Sequence, residues 1–144
     1  MEPICIVPAG DVCGEAATWD AAANRIYWTD INRFLLHSHD PDSGATRTHM
    51  FDRPVVALSL TDKKGWLLVA LGSQLILFNP EAGTREDLAA TLSGWPELRF
   101  NDGRSDPLGA FWIGSMATMS ARTEKVCQSW AARERSTATG MAGQ

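Results

Sequence analysis

A pattern of short strands and turns recurs along this chain about every forty residues, and it limits the possible folds more than any other feature. Residues 40–47 read Asp-Pro-Asp-Ser-Gly-Ala-Thr-Arg, and residues 79–85 read Asn-Pro-Glu-Ala-Gly-Thr-Arg. A third turn of this kind, Asp-Pro-Leu-Gly, occupies residues 106–109 and precedes a further apolar run. Four short strands in each repeat are typical of one blade of a β-propeller. We therefore predict an all-β chain that forms part of a β-propeller.

Runs of β-branched and aromatic residues between the turns define the predicted strands. These strands cover residues 3–8, 14–20, 25–31, 34–39, 45–49, 55–60, 66–71, 74–78 and 110–116. A β-sandwich whose turns are similar by chance is the alternative interpretation. The propeller is favoured because the turn chemistry and the strand order repeat together.

The repeat stops after Thr118, where a third blade would need another strand, a Pro-Gly turn and an outer strand. We therefore predict a partial propeller of about two and a half blades over residues 1–118. Residues 119–144 are rich in Ala, Arg, Ser and Thr, and they are predicted to be an aberrant tail outside the propeller. Within this tail, residues 123–135 are predicted to form a short helix, and the remainder is predicted to be disordered.

Composition excludes several classes of partner. The net charge of −4 over 144 residues and the lack of a basic run argue against a nucleic-acid partner. No run approaches the roughly twenty apolar residues that a membrane span requires. Three cysteines without metal-ligand spacing indicate free thiols in a reducing compartment: Cys5, Cys13 and Cys127. Because residues 1–19 also lack the apolar segment of an export signal, we expect a cytoplasmic protein.

Polar groups suited to a small ligand occur in the stretch from Arg99 to Met116. Asn-Asp-Gly at 101–103 and the turn at 106–109 predict a short, stiff loop that carries Arg99 and Asn101. A guanidinium and a carboxamide can recognise the hydroxyls and carbonyls of a polar ligand. From the residues alone, two structural roles remain open. Arg99 would pair with Asp102 or Glu97, and Asn101 would form an Asx turn.

Histidine and tryptophan patterns give no second site. His37 and His39 share one strand face, but no third ligand follows at a fitting spacing, so they are predicted to be surface residues together with His49. Five tryptophans are predicted to pack between blades: Trp19, Trp28, Trp66, Trp95 and Trp112.

Four segments together resemble the N-terminal portion of the senescence-marker-protein, gluconolactonase and regucalcin family. They are Gly-Glu-Ala-Ala-Thr-Trp-Asp at 14–20, Arg-Ile-Tyr-Trp-Thr-Asp-Ile at 25–31, Arg-Phe-Asn-Asp-Gly at 99–103 and the run at 106–116. The resemblance implies a six-bladed β-propeller that binds a divalent cation in its central channel and hydrolyses sugar lactones. It also implies that this chain holds under half of such a propeller.

The resemblance assigns roles to three residues. It implies that Glu15 is a metal ligand and that Arg99 and Asn101 contact the lactone, whereas spacing alone makes Glu15 a solvated loop carboxylate. The chain departs from the family pattern at Ala16 and Ala17, and it lacks an acidic residue near Met119. The family's later Asn and Asp ligands, of which the Asp is also the supposed general base, have no counterpart. No catalytic residue is therefore assigned.

Two functions from different classes follow. The first is divalent-metal-dependent hydrolysis of sugar lactones with Ca²⁺, Zn²⁺, Mn²⁺ or Mg²⁺ as cofactor, in which case this chain is a truncated and inactive fragment. The second is a non-catalytic propeller remnant that self-associates or binds a partner through open sheet edges.

Overall fold

The computed structural model describes residues 2–118 and a two-residue strand at 129–130. Within these residues the chain forms antiparallel sheets in which consecutive strands are neighbours. The first sheet contains β1 (Gly14–Asp20), β2 (Arg25–Asp30), β3 (Leu35–His39) and β4 (Thr46–Met50). The second contains β5 (Val55–Leu60), β6 (Leu67–Leu71), β7 (Gln74–Asn79) and β8 (Thr84–Thr91). The third contains β9 (Leu98–Ser105), β10 (Phe111–Ala117) and β11 (Ser129–Trp130).

The first strands of the three sheets lie side by side, with β5 in contact with both β1 and β9. Trp28, Val69 and Ile113 each lie in the second strand of their sheet. This arrangement of successive antiparallel meanders around their first strands is that of propeller blades. The prediction of a partial all-β propeller is confirmed.

The repeated turns fold in the same way. In the turn before β4, Asp40 Oδ1 accepts hydrogen bonds from the amides two and three residues later, and Gly44 adopts a left-handed φ of 71°. In the turn before β8, Asn79 Oδ1 accepts the equivalent pair, and Gly83 has a φ of 66°. These turns need an Asx side chain and a glycine at fixed offsets, which is why their sequence repeats.

Two hydrophobic clusters hold the three sheets together, and the middle sheet contributes to both. The first cluster joins the first two sheets and contains Tyr27, Leu36, Val55, Leu58, Leu67, Val69, Leu71, Ile76 and Phe78. The second joins the middle and third sheets and contains Val56, Ala57, Ala70, Leu75, Phe100, Phe111 and Ile113. Side chains alternate between the two faces of a strand, so β5 to β7 supply one cluster from each face. Among the residues described, no helix is long and apolar enough to cross a bilayer.

The predicted first strand, residues 3–8, is wrong. These residues carry no strand pairing, and Ile4 and Ile6 are exposed. Pro3 and Pro8 lack the N–H group that a sheet ladder needs at each end of this short run.

The predicted loop around Asn101 is also wrong, because Asn101, Asp102 and Gly103 lie inside β9. Asp102 takes a left-handed φ of 50°, and the ladder between β9 and β10 shifts register at this point. Asn-Asp-Gly therefore forms a bulge within a strand, using the same backbone freedom that a turn would use.

Buried histidines and exposed tryptophans correct two further predictions. His37 and His39 are buried on β3, where Thr48 and Thr46 on β4 hydrogen-bond to their Nδ1 atoms at 2.8 and 2.9 Å. Trp19 and Trp112 are half-exposed and do not fill a gap between the sheets. A cross-strand threonine hydroxyl gives each of the two histidine rings a hydrogen-bond partner in the interior. The pattern of a single strand does not reveal such a partner.

Most of the predicted tail lies outside the described residues, and the proposed domain boundary at residue 118 stays a prediction. Within that tail, Ser129 and Trp130 pair with Gly114 and Ile113 on β10. These two residues extend the third sheet, so they are not part of the helix predicted over 123–135.

Candidate functional site

An open cavity of about 930 Å³ lies along the first strands of the three sheets. It is lined by residues 14–19 of β1, by Trp28 of β2, by residues 58–60 of β5 and by residues 102–105 of β9. Glu15 is exposed and belongs to this lining. Within the part of the chain that the structure describes, the Glu15 carboxylate forms no ion pair.

The first strand of each sheet, here called the inner strand, carries one bulge, and the three bulges occupy equivalent places. Register shifts follow Glu15 in β1, Val55 in β5 and Asn101 in β9. The residues after Glu15 and Asn101 both have left-handed backbones, with φ values of 56° at Ala16 and 50° at Asp102. A bulge redirects the side chains beside it, so it sets the direction of both Glu15 and Asn101.

Arg99 and Asn101 lie at the start of β9, just outside the cavity lining. Arg99 Nη1 donates a hydrogen bond to Phe100 O at 2.8 Å and reaches Asn101 Oδ1 at 3.5 Å. Partial burial lowers the pKa of Arg99, which is opposed by an electrostatic interaction with Cys13. Arg99 at the start of β9 therefore lies within electrostatic reach of Cys13, in the segment that leads into β1.

The structural pairings considered for these two residues do not occur. Arg99 forms no ion pair with Asp102 or Glu97 within the described residues, and Asn101 lies in a strand ladder rather than an Asx turn. Arg99 instead contacts Phe100 O and Asn101 Oδ1.

Asp30 is the residue of this region that sequence reasoning missed. It lies at the end of β2 with no solvent exposure, and its carboxylate accepts hydrogen bonds from the amides of Val12, Cys13, Asn32 and Arg33. Arg33 Nε also donates to Asp30 Oδ2 at 2.6 Å. The available signal was an aspartate directly after a buried strand, which predicts a turn but not a partner many residues away.

These hydrogen bonds decide the charge of Asp30. Burial alone raises the pKa of a carboxyl group, but donors from Val12, Arg33 and Cys13 outweigh that effect and lower the pKa of Asp30 to about 2. The same contact raises the pKa of Arg33. Asp30 is therefore a buried carboxylate that stays ionised.

Asp11 extends this cluster toward β3. Its carboxylate accepts hydrogen bonds from Trp28 Nε1 at 2.7 Å and from Arg33 Nη2 at 3.0 Å. His37 Nε2 lies 3.2 Å from Asp11 Oδ1, but the angle does not satisfy a hydrogen bond. The His37 ring stacks on Trp28 with centroids 4.9 Å apart. The cluster fastens the segment before β1 to the first sheet.

Oxygen donors on β1 and β9 are of a kind that suits a hard divalent cation. The Glu15 carboxylate and the Asn101 carboxamide are ligands of the type that Ca²⁺, Mg²⁺ and Mn²⁺ prefer. The described residues contain no group of three His, Cys, Asp or Glu side chains placed to hold a metal ion. The Glu15 carboxylate is a single oxygen donor, and a hard cation would need further donors beside it.

Comparison with known proteins agrees with this geometry. The family described as the SMP-30/gluconolactonase/LRE-like region matches residues 13–140. The 6-deoxy-6-sulfogluconolactonase of Pseudomonas putida is 35% identical over 112 residues, which cover 78% of this chain and 38% of that enzyme. Regucalcin of Oryctolagus cuniculus is 29% identical over 117 residues, covering 81% of this chain and 39% of regucalcin.

A solved structure supports both the fold and the family. The crystal structure of a calcium-binding protein, regucalcin, from Agrobacterium tumefaciens strain C58 superposes with a TM-score of 0.68 at 33% identity, over 77% of this chain and 37% of that one. The chain therefore spans less than two fifths of the length of the relatives it matches. The family match covers most of the sequence, and the expected resemblance is confirmed: this chain belongs to the SMP-30/gluconolactonase/regucalcin family.

Proposed function

We propose that this chain carries one part of a divalent-cation-dependent site that hydrolyses sugar lactones. The observation that supports this most is the equivalence of Glu15 and Asn101, which precede matching bulges on β1 and β9. In this proposal Glu15 is a cation ligand, and Arg99 and Asn101 contact the lactone. The similarity to a sulfogluconolactonase supports a sugar lactone as the substrate class.

The chemistry of the proposed residues fits an ester substrate. A lactone is a cyclic ester, and its hydrolysis requires a polarised carbonyl group and an attacking water. A bound divalent cation supplies Lewis-acid polarisation and lowers the pKa of a coordinated water. The Arg99 guanidinium and the Asn101 amide can donate hydrogen bonds to ring and hydroxyl oxygens, which orients the sugar.

The cation is one that accepts oxygen ligands, and Ca²⁺, Mg²⁺, Mn²⁺ and Zn²⁺ are all candidates. Because Ca²⁺ takes about six to eight oxygens, Glu15 alone would hold it weakly. We therefore expect the 144-residue chain to bind a cation and a lactone weakly and to show no turnover above the spontaneous rate.

The test is an NMR titration of the 144-residue chain with Mn²⁺ and then with gluconolactone. Paramagnetic broadening is expected at the amides of Gly14, Glu15 and Ala16, and it should vanish on chelation and in Glu15→Gln. Glu86→Gln on β8 is the matched control, since its exposed carboxylate lies on an outer strand. Gluconolactone should then shift the signals of Arg99 and Asn101. Unchanged broadening in Glu15→Gln would remove Glu15 as the ligand.

A second function is favoured by exposed apolar side chains in the described residues. Ile4, Leu108 and Trp112 are 85%, 89% and 53% exposed. Apolar side chains in such exposed positions favour association with another chain. A non-catalytic role in self-association is therefore the competing proposal.

A further inference from the structure

We propose that Asp30 is a positioning residue that fixes the direction of Glu15, an inference that rests on the proposed role of Glu15 as a cation ligand. Asp30 lies on β2, and Glu15 lies near the start of the neighbouring strand β1. Asp30 would act through the backbone of Val12 and Cys13.

Comparison with other turn aspartates shows what is particular to Asp30. Asp20 and Asp40 each accept hydrogen bonds from the amides two and three residues later. Asp30 makes this same local pair with the amides of Asn32 and Arg33. In addition, it accepts the Val12 amide at 2.9 Å and the Cys13 amide at 3.2 Å, from residues 18 and 17 positions earlier. The turn needs only the first pair.

Three further contacts hold the same segment. Asp11 is bound by Trp28 Nε1 and by Arg33 Nη2. Arg33 also binds Asp30, so one guanidinium links both carboxylates. The Ile31 amide donates to Cys13 O at 3.0 Å. The segment from Asp11 to Cys13 is therefore held through the Asp11 side chain, the Val12 and Cys13 amides and the Cys13 carbonyl.

Glu15 follows this anchored segment after only one residue, Gly14. On its other side the bulge begins at Ala16, and Thr29 Oγ1 donates to Glu15 O at 3.3 Å. The backbone of Glu15 is thus fixed before and after the residue. Because its side chain is exposed, the carboxylate depends on this backbone for its direction. A ligand that is held in place loses less freedom when it binds a cation.

The experiment compares Asp30→Asn with Asp40→Asn in the full chain. Asp40 accepts the same two hydrogen bonds from the amides of its own turn, and it follows β3 at the end of that strand away from Asp30. Its replacement therefore controls for the loss of a turn aspartate. In Asp30→Asn, we expect the amides of Val12 and Cys13 to exchange faster, and the ¹⁵N relaxation of the Glu15 amide to show increased motion. Affinity for Mn²⁺ should fall by about tenfold, the effect typical of outer-shell changes at metal sites. Asp40→Asn should leave all three readouts unchanged.

An unchanged Glu15 amide in a folded Asp30→Asn protein would overturn the proposal. Faster motion at Glu15 with wild-type Mn²⁺ affinity would also overturn it, while leaving Glu15 as the ligand. If the wild-type chain binds no Mn²⁺, the proposed function fails, and the relaxation of Glu15 still decides whether Asp30 positions it. If Asp30→Asn does not fold, Arg33→Gln replaces it, because Arg33 binds Asp30 and Asp11 from a partly exposed position. That variant is expected to produce the same changes to a smaller extent.

Discussion

Asp30 combines complete burial with a negative charge. Its carboxylate accepts five hydrogen bonds, four from backbone amides and one from the Arg33 side chain, and these replace hydration by water. Removal of a buried charge's partners is costly, since the desolvated group is left unpaired. The same arrangement makes the stability of the protein depend on the ionisation of this one residue.

The pH dependence of stability follows from the lowered pKa of Asp30. In the folded state this pKa is about 2, against an ordinary value of 3.8. Ionised Asp30 therefore stabilises the fold above about pH 4, by on the order of 2 kcal/mol, and this contribution disappears as the pH falls through 2. Urea unfolding of wild type and Asp30→Asn should differ most at neutral pH and much less near pH 2. Asp62→Asn, at an exposed turn residue, is the control.

Among the strands, the left-handed bulges are the features on which the site depends most. Asp102 keeps its left-handed conformation with a hydrogen bond from Gly103 N to its own Oδ1 at 2.7 Å. Asp and Asn tolerate this backbone, whereas a β-branched residue does not. The bulge therefore constrains which residues can follow Asn101.

Replacement of Asp102 by valine should destabilise the fold by about 1–2 kcal/mol, because a β-branched residue is strained at a φ of 50°. Asp102→Asn should stay close to wild type, since it accepts the left-handed conformation. Thermal unfolding of both variants provides the measurement. Equal losses of stability would show that the charge of Asp102, rather than the backbone conformation, determines the effect.

The sequence predicts the strands of the first two sheets except β8, together with their repeated turns, because the Asx and glycine offsets are local chemistry. Asp40 and Asn79 each bond to their own turns, so the pattern is complete within a few residues. The role of Asp30 could not be predicted in this way, because its partners Val12 and Cys13 lie in the segment before β1, 18 and 17 residues away. The Asn-Asp-Gly run was placed in a turn because turns and bulges use the same residues. Only pairing with β10 distinguishes them.

For the molecule as a whole, the middle sheet is the element that joins the other two. Leu75 and Ile76 are neighbours on β7, yet Leu75 belongs to the cluster shared with the third sheet and Ile76 to the cluster shared with the first. Adjacent residues of one strand thus act on different interfaces.

Alanine replacements at these two positions should separate the interfaces. Ile76→Ala and Leu75→Ala should each cost about 2–5 kcal/mol, because both side chains are buried. Hydrogen exchange should accelerate mainly in β2 and β3 for Ile76→Ala, and mainly in β9 and β10 for Leu75→Ala. Leu60→Ala, at a partly exposed position, should change little. Uniform acceleration in both variants would indicate a single cooperative unit without distinct interfaces.

Self-association can be tested at the exposed face of the third sheet. Phe111 and Ile113 are buried against the middle sheet, and Trp112 between them points away and is half-exposed. If this face binds a second copy, Trp112→Ser should shift sedimentation profiles at high protein concentration toward the monomer. Met50→Ser, at an exposed apolar position on β4, should not. A wild-type chain that stays monomeric at every concentration would contradict the competing proposal.

The single extra residue in β1 and in β9 has a consequence for how this chain can change in length. Deletion of Ala16 would leave Ala17 alone opposite Trp28 and remove the register shift after Glu15. In a strand, a one-residue slip exchanges the faces to which side chains point. The faces of Glu15 and of the residues after the bulge would then change relative to one another, although the codon of Glu15 is untouched. Loss of one alanine is therefore expected to rearrange the cavity lining on β1 even though the Glu15 carboxylate is retained.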